Sequence, residues 1–319
     1  MTDQLNLHIA PETSVIVCTY NRCVSLADTL MALAAQDVEP GRWELLVVDN
    51  NSRDDTRATV ERFCKAHPAL HCRYLFQPAQ GLSHARNLGI TEARGALIVF
   101  TDDDVLPEKD WLRRAMALMH SHDCAAFGGY IAPIWEHAPP AWLTERFHGF
   151  IAIRMDTRGP FELGEADELP FGANMGFRRE VFDQLGMFDT ALGRKGNVLA
   201  GGEEWDLFRR VQASGGRIIY APDVRVHHKV EAFRLRKSYF RRWRYQCSRN
   251  EALSAPLPDA NLLFGVPRYL IMQLLRAAAR TLSMTLSRPA DEAFRQEMII
   301  WHFMGVISGS RQMSRSRTP

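Results

Sequence analysis

No cysteine pair in the 319-residue chain has the CxxC spacing, so Cys18, Cys23, Cys64, Cys72, Cys124 and Cys247 offer neither a zinc knuckle nor a disulfide framework. Reduced thiols are expected. No apolar run reaches the roughly 18 uninterrupted residues of a membrane-spanning helix. The opening Met1-Thr2-Asp3-Gln4-Leu5-Asn6 lacks the basic and apolar regions of a secretory leader. A cytoplasmic location is therefore expected. No G-x-G-x-x-G or P-loop follows the first strands, which argues against a dehydrogenase or a P-loop NTPase. A large net charge is also missing, at +2, but only as a sum: residues 233–319 hold fifteen Lys/Arg against five Asp/Glu, leaving 24 against 32 for residues 1–232. With 46% hydrophobic and 24% charged residues the composition is that of a globular protein, and the length suits one large domain with an appendage. The boundary is expected at 232/233.

The acidic body carries the landmarks. Gly95 to Phe100 is an apolar run that delivers Thr101-Asp102-Asp103-Asp104 to its carboxyl end. Three adjacent carboxylates repel unless a cation neutralises them. Hard oxygen ligands favour Mg²⁺ or Mn²⁺, with phosphate oxygens completing the shell. The competing reading is a solvated acidic turn, or Asp104 capping a helix that starts at Pro107-Glu108.

Earlier in the chain, Ser14 to Cys18 and Glu44 to Val48 read as strands, as does Arg73 to Phe76. Leu26, Leu30 and Leu33 recur at helical spacing, a second helix runs from about Asp55 to Ala66, and Ser83 is placed to cap a third. Alternation of strands and helices implies a mainly parallel sheet. In such sheets ligands bind outside the carboxyl strand ends. Here Thr19 to Arg22, Asp49 to Ser52 and Asp102 to Asp104 all fall at such ends. One crevice then offers Tyr20 to a base, Asp49 and Asn50 to a ribose, and the aspartates to a metal-bound diphosphate.

Further on, Trp111 to Met119 reads as a helix, Cys124 to Ile131 as a strand and Arg179 to Leu185 as a helix. Between Pro133 and Pro170 periodicity fades, and Trp135, Trp142, Phe147, Phe150 and Phe161 suit either sugar contacts or packing under a loop. Gly193 to Gly202 suits a mobile loop. Gly202-Glu203-Glu204-Trp205-Asp206 is the second acidic landmark. Acids in a first helical turn suit the macrodipole, but flanking glycines also admit a ligand. His227 and His228 lie on a strand, where alternation lets one at most face the site.

In this order the residues resemble the family-2 glycosyltransferases, which have the GT-A fold. The resemblance covers roughly residues 12–230: Ser14 to Arg22, Val48 to Ser52, Ala85-Arg86-Asn87, Asp102-Asp103-Asp104 as a DxD motif, Gly172-Ala173-Asn174-Met175, and Gly202 to Leu207. It implies a Rossmann-like α/β domain with helices on both faces of its sheet and a C-terminal helical extension. It further implies inverting sugar transfer from a nucleoside-diphosphate sugar to an acceptor hydroxyl with Mg²⁺ or Mn²⁺, in polysaccharide or glycolipid synthesis. By the same resemblance Cys18, Tyr20, Arg22, Asp49, Asn50, Arg86, Asp102 and Asp103 lie on the donor side. Asp102 and Asp104 hold the metal, with His228 as a weaker ligand, and Glu204 is the base with Glu203 its rival. The chain departs from the family at Asn50, where an acid is common, and at Glu204, where Asp is commoner.

Two alternatives stand beside this reading. A sugar nucleotidyltransferase shares the metal and diphosphate chemistry but normally has a glycine-rich loop after strand one. A catalytically silent assembly subunit would not need both acidic landmarks. In the basic tail, Arg268, Arg276 and Arg280 share one helical face, with Leu263, Val266, Leu270, Leu274 and Ala278 on another. Ser287-Arg288-Pro289 then opens a second helix. This suits an anionic membrane surface near a saccharide or lipid-linked saccharide acceptor, on the inner face of the membrane; packing on the protein is the other reading. The apolar content of the tail fits lipid better than nucleic acid.

Overall fold

The computed structural model describes residues 10–196, 198–199, 201–254, 262–263 and 266–316. Residues 1–9, read above for a leader, lie outside the described residues, as does the side chain of Leu263. The chain divides into two compact units. The first takes residues up to Ile134, Ala152–Gly196 and Gly202–Lys229; the second takes Trp135–Ile151, residues 197–201 and Val230 onward.

The first unit opens with strands and helices in alternation: β1 (Thr13–Thr19), α1 (Cys23–Ala34), β2 (Trp43–Asp49), α2 (Thr56–Ala66), β3 (His71–Phe76), α3 (Leu82–Glu92) and β4 (Leu97–Asp102). The order β3-β2-β1-β4 is parallel throughout, as the alternation predicts. Both faces are covered. Val15, Val17, Leu45, Val47 and Val99 point to one side with Leu26, Leu30 and Val60 from α1 and α2. Ile16, Leu46, Val48, Ile98 and Phe100 point to the other with Ala85 and Ile90 from α3. Strands buried on both faces need continuous β-branched runs rather than polar alternation, and Thr-Ser-Val-Ile-Val-Cys-Thr is such a run.

Then follow β5 (Val105–Pro107), α4 (Trp111–Ser121), β6 (Ala126–Trp135), β7 (Phe161–Glu162), β8 (Met175–Arg178), α5 (Arg179–Leu185), α6 (Glu203–Ala213) and β9 (Ile218–Val230). They extend the sheet as β4-β8-β6-β9-β5, with antiparallel pairing at β4–β8, β8–β6 and β9–β5. Three local expectations are corrected. Asp104 caps no helix, because residues 105–107 are a strand held to β9 and α4 starts only at Trp111. Ser83 lies inside α3, whose N-cap is Gly81, and its hydroxyl donates to the Leu192 carbonyl at 2.8 Å. The start of the stretch read as a mobile loop, Gly193 to Gly202, is tied down by that bond to Leu192 just before it and by the Leu82 N–H, which donates to the Arg194 carbonyl at 2.9 Å.

A disulfide joins Cys64 in α2 to Cys72 in β3, against the expectation of reduced thiols; the turn between helix and strand brings their Cα atoms to 5.6 Å.

The second unit contains α7 (Lys237–Ser254), α8 (Arg268–Ser287) and α9 (Ala290–Ser316). Sequence periodicity gave no sign of α7, in which Arg241, Arg242, Arg244 and Arg249 interrupt the apolar pattern. The aromatic segment packs: Trp142 meets Phe147, Phe240 and Phe294 edge-on at ring distances of 5.7, 5.2 and 4.9 Å. Val266 and Leu270 are buried with Val306 of α9, so the apolar face read for lipid is largely a packing face, while Ala278 is exposed. Among the described residues no helix is long and apolar enough to cross a membrane.

Asn174 locks the antiparallel half of the first unit. It is fully buried, accepts from Trp111 Nε1 at 2.9 Å and donates to the carbonyls of Tyr130 at 3.0 Å and Val224 at 2.8 Å. Truncation strands buried partners, each costing about 1–3 kcal/mol. Asn174→Ala is expected to lower the unfolding free energy by about 2–4 kcal/mol in a denaturant titration; a change within experimental error would show that water replaces the amide.

Candidate active site

Strand register builds the site. Thr19 pairs with Asp49 and Cys18 with Asp102, so the ends of β1, β2 and β4 are level on one edge. The loops beyond are stitched together: the Asn21 N–H donates to Ser52 Oγ at 2.9 Å, and Asn21 Oδ1 accepts from the Arg53 N–H at 2.7 Å. Asn21 and Asn51 adopt left-handed backbones, φ 53° and 66°, which asparagine tolerates better than most residues.

Each aspartate of the triplet has a different environment. Asp102 ends β4 with 36% of its side chain exposed, 3.8 Å from Arg86. Asp103 is buried; Thr19 donates to it at 2.7 Å and Arg22 approaches at 3.4 Å. Burial raises the Asp103 carboxyl to about 7, against the pull of Arg22 and with a further push from Asp104. Asp104 is buried, 3.1 Å from Arg22 and 3.4 Å from His228 Nε2. Pairing of Val105 with His228 across β5 and β9 sets that approach. Alternation along β9 sends His227 the other way, to Glu108 at 3.2 Å.

The β2 turn is committed to structure. Asp49 accepts from the Tyr74 hydroxyl at 2.7 Å and the Ser52 N–H at 2.8 Å. Asn50 donates to the Ala79 carbonyl at 2.8 Å and accepts from the Gly81 N–H at 2.8 Å, so its amide holds the 77–81 loop. Tyr20 is half-buried beyond β1. Cys18 sits opposite Asp102, and burial pushes its thiol up to about 12. It is a neutral side chain in the wall of the site rather than a nucleophile.

Arg86 and the acidic helix form the second half. Arg86 in α3 is 3% exposed and donates to Glu203 of α6 at 2.7 Å. Burial lowers its pKa, but Glu203 and Asp102 outweigh that, and the net shift is upward. A Cβ on Gly172 would lie 2.1 Å from the Arg86 guanidinium, so only glycine leaves the pair its room. Gly193, at φ 91°, plays the same part on the far side: its Cβ would lie 2.7 Å from Ser83 Oγ and 3.3 Å from Glu203 Oε2. Glu203 is thus an ion-pair partner. Glu204 differs. Its Oε2, like Glu203 Oε2, is enclosed without a hydrogen-bond partner among the described residues, but it lacks the ion pair that Glu203 Oε1 makes with Arg86; burial, then the neighbouring Glu203 charge, raise its carboxyl to about 8 against the pull of Arg86.

Of the site residues singled out in the sequence, Cys18, Tyr20, Arg22, Asp49, Asn50 and Asp102 to Asp104 lie at or just beyond the strand ends, Glu203 and Glu204 start α6, Arg86 reaches Glu203 and Asp102 from α3, and His228 reaches Asp104 from β9. Tyr74 is missed, and Thr19, Gly172 and Gly193 are named in motifs without the contacts they make here, because their partners are distant in the chain. Among the described residues no three His, Cys, Asp or Glu side chains are gathered to hold an ion.

The family model described as glycosyl transferase family 2 matches residues 14–186. The glucosyl-dolichyl phosphate glucuronosyltransferase of Haloferax volcanii is 31% identical over 227 residues, covering 70% of this chain and 71% of the relative. The succinoglycan biosynthesis protein ExoM of Rhizobium meliloti is 30% identical over 233 residues, covering 72% and 71%. Among solved structures, a mannosyltransferase from Pyrobaculum calidifontis in complex with GDP-Man and Mn²⁺ superposes with a TM-score of 0.62 at 19% identity, covering 95% of this chain and 88% of the other. TarS of S. aureus in complex with UDP-GlcNAc gives 0.56 at 18% identity, covering 96% and 91%. These structures share the GT-A fold with the first unit's sheet and helices.

The Arg86 cluster makes a stability prediction. Removing one partner of a buried pair leaves an uncompensated charge, at a cost of roughly 3–5 kcal/mol. Arg86→Met is expected to show a loss of that order by chemical denaturation, and adding Glu203→Gln to recover part of it. Additive losses would mean the two side chains do not depend on each other.

Proposed function

The chain belongs to glycosyl transferase family 2 and is a glycosyltransferase, and we propose that it moves a sugar with inversion from a nucleoside-diphosphate sugar to an acceptor hydroxyl, using Glu204 as base. The observation that carries this is the division of the acidic pair at the start of α6: Glu203 is held by Arg86 at 2.7 Å, while Glu204 beside it keeps an enclosed Oε2 and no such ion pair. A carboxylate oxygen with an open lone pair can take the proton of a hydroxyl as it attacks. Family membership argues against the nucleotidyltransferase alternative, and the acidic landmarks at Asp102 to Asp104 and Glu203-Glu204 support an active enzyme over a silent subunit. Names of relatives place them in lipid-linked and polysaccharide synthesis, and we assign this chain to the same broad class.

In this reading residues 1–232 are the catalytic domain and 233–319 a basic helical region. The donor lies along the strand ends, its base near Tyr20 and its ribose near the Asp49 turn, while Arg86 and Arg22 face the diphosphate. We assign a hard divalent ion to Asp102 and Asp104, with His228, on donor chemistry: they supply oxygens and one nitrogen, and Mg²⁺ takes only one or two carboxylates when substrate phosphates complete its shell, so the three side chains need not be gathered before the donor binds. Mg²⁺ or Mn²⁺ there would offset charge on the departing diphosphate. Two solved neighbours hold Mn²⁺. Glu203, through its pair with Arg86, holds Glu204 in place and raises its basicity.

Slow hydrolysis of a panel of nucleotide sugars, with and without Mn²⁺, tests the reading and identifies the donor. Hydrolysis is expected to vanish in EDTA and return with Mn²⁺ or Mg²⁺, and Asp102→Asn to weaken that return; full rate in chelator would overturn the metal assignment. Once an acceptor is found, Glu204→Gln is expected to keep fold and donor binding while losing about 10²–10⁴-fold in turnover. The base works ionised, and its carboxyl is raised to about 8. Accordingly kcat/KM is expected to climb with pH below about 8 and level off above it. Glu204→Gln should lack that limb; a limb that survives in it belongs to another group.

A further inference from the structure

Among the described residues the largest exposed apolar run on one element is on α8. Met272, Leu275, Leu282 and Leu286 are 51, 58, 68 and 83% exposed. At about 100° per residue they fall within one narrow sector, together with Ala279. It is not the sector the sequence pointed to. Leu270 and Ala277, on the opposite side of the helix, are the buried ones, with Leu270 packed beside Val266 and Val306. So α8 has two apolar stripes, one spent on packing and one facing outward.

The outward stripe has a charged flank of one sign. Arg276 and Arg280 lie along one side of it and are exposed, with Tyr269 on the same side 41% exposed, Arg268 stands in line with the stripe at its N-terminal end, and no Asp or Glu occurs in the 20 residues of α8. Isolated exposed apolar residues need no explanation, but a helix-long row of them beside an all-cationic row does. We propose that this face of α8 is a docking surface for an anionic lipid bilayer, with Met272, Leu275, Leu282 and Leu286 entering the headgroup boundary and the arginines meeting lipid phosphates. It lies flat on the bilayer rather than crossing it: at about 1.5 Å per residue α8 is roughly as long as the hydrocarbon core is thick, but Arg276 and Arg280 sit in its middle.

A second copy of the chain is the other occupant this stripe can take. Charge decides against it. A symmetric pair of α8 helices brings the same patch of each copy together, which sets arginine flank against arginine flank with no carboxylate on either helix. An anionic surface offsets those charges instead. The proposal rests on the glycosyltransferase reading only for what it means, namely that the enzyme works where a lipid-linked saccharide is presented; the surface itself stands without it.

The experiment is flotation of the full chain with phosphatidylcholine vesicles, with and without phosphatidylglycerol, at low salt. Binding is expected with phosphatidylglycerol and not without it, and it should fall as salt rises. Leu275→Gln with Leu282→Gln, both exposed and so harmless to packing, should weaken binding about tenfold or more; Arg276→Glu with Arg280→Glu should do the same and abolish the preference for anionic lipid. Donor hydrolysis in vesicle-free solution should be unchanged in both variants, which separates loss of the surface from failure of the catalytic reading. No flotation of the wild-type chain, or flotation indifferent to both pairs of substitutions, overturns the proposal. So does a wild-type dimer in light scattering that Leu275→Gln with Leu282→Gln converts to monomer, since the stripe would then be covered by a second copy.

Discussion

A charge without access to water is held only by opposite charge, and the Arg86 guanidinium is in that position. Its partners come from elements far apart in sequence: Glu203 from the start of α6 and Asp102 from the end of β4. The rings of Phe188 and Phe100 lie 5.3 and 5.8 Å from it, and Gly172 backs it. One cation therefore fixes the spacing between the strand edge and the acidic helix, and with it the distance from the aspartates to Glu204. The same cation tunes the chemistry. Arg86 holds down the Glu204 carboxyl that burial and Glu203 drive upward.

The three aspartates show how position converts identical residues into different groups. Asp103 faces inward, takes a hydroxyl bond from Thr19 and is secured by Arg22, which makes it a brace beneath the turn. Asp102 remains open to solvent, and Asp104 turns toward β9 and His228. The end of the strand produces this division: Asp102 is the last residue of β4 and stays open, while Asp103 and Asp104 lie in the turn into β5 and are both buried.

Much of this was legible in the chain because it is local. The β-branched run in β1, the matching polar clusters at three strand ends and the alternation of His227 and His228 each follow from a few adjacent residues. What escaped depends on partners elsewhere. The Asp104 turn looks like a helix entrance until Val105 is seen paired with His228. Asn50 looks like a ligand group until its amide is seen filled by the 77–81 backbone. α8 misled differently: its pattern contains two apolar stripes, and sequence alone could not tell which one α9 covers.

The pairing of β5 with β9 also bears on the order in which the protein is built. During synthesis β1, β2 and β4 can assemble once about the first hundred residues have left the ribosome, since the register that aligns Cys18 with Asp102 needs nothing later. At that stage Asp104 has only Arg22 beside it. His228 and the strand that carries it arrive last in the first unit, as does α6 with the counter-charge for Arg86. A nascent chain thus lacks the Glu203 and His228 contacts through most of its elongation, and the charge pairing around Arg86 and Asp104 is completed only when the last elements of the first unit arrive.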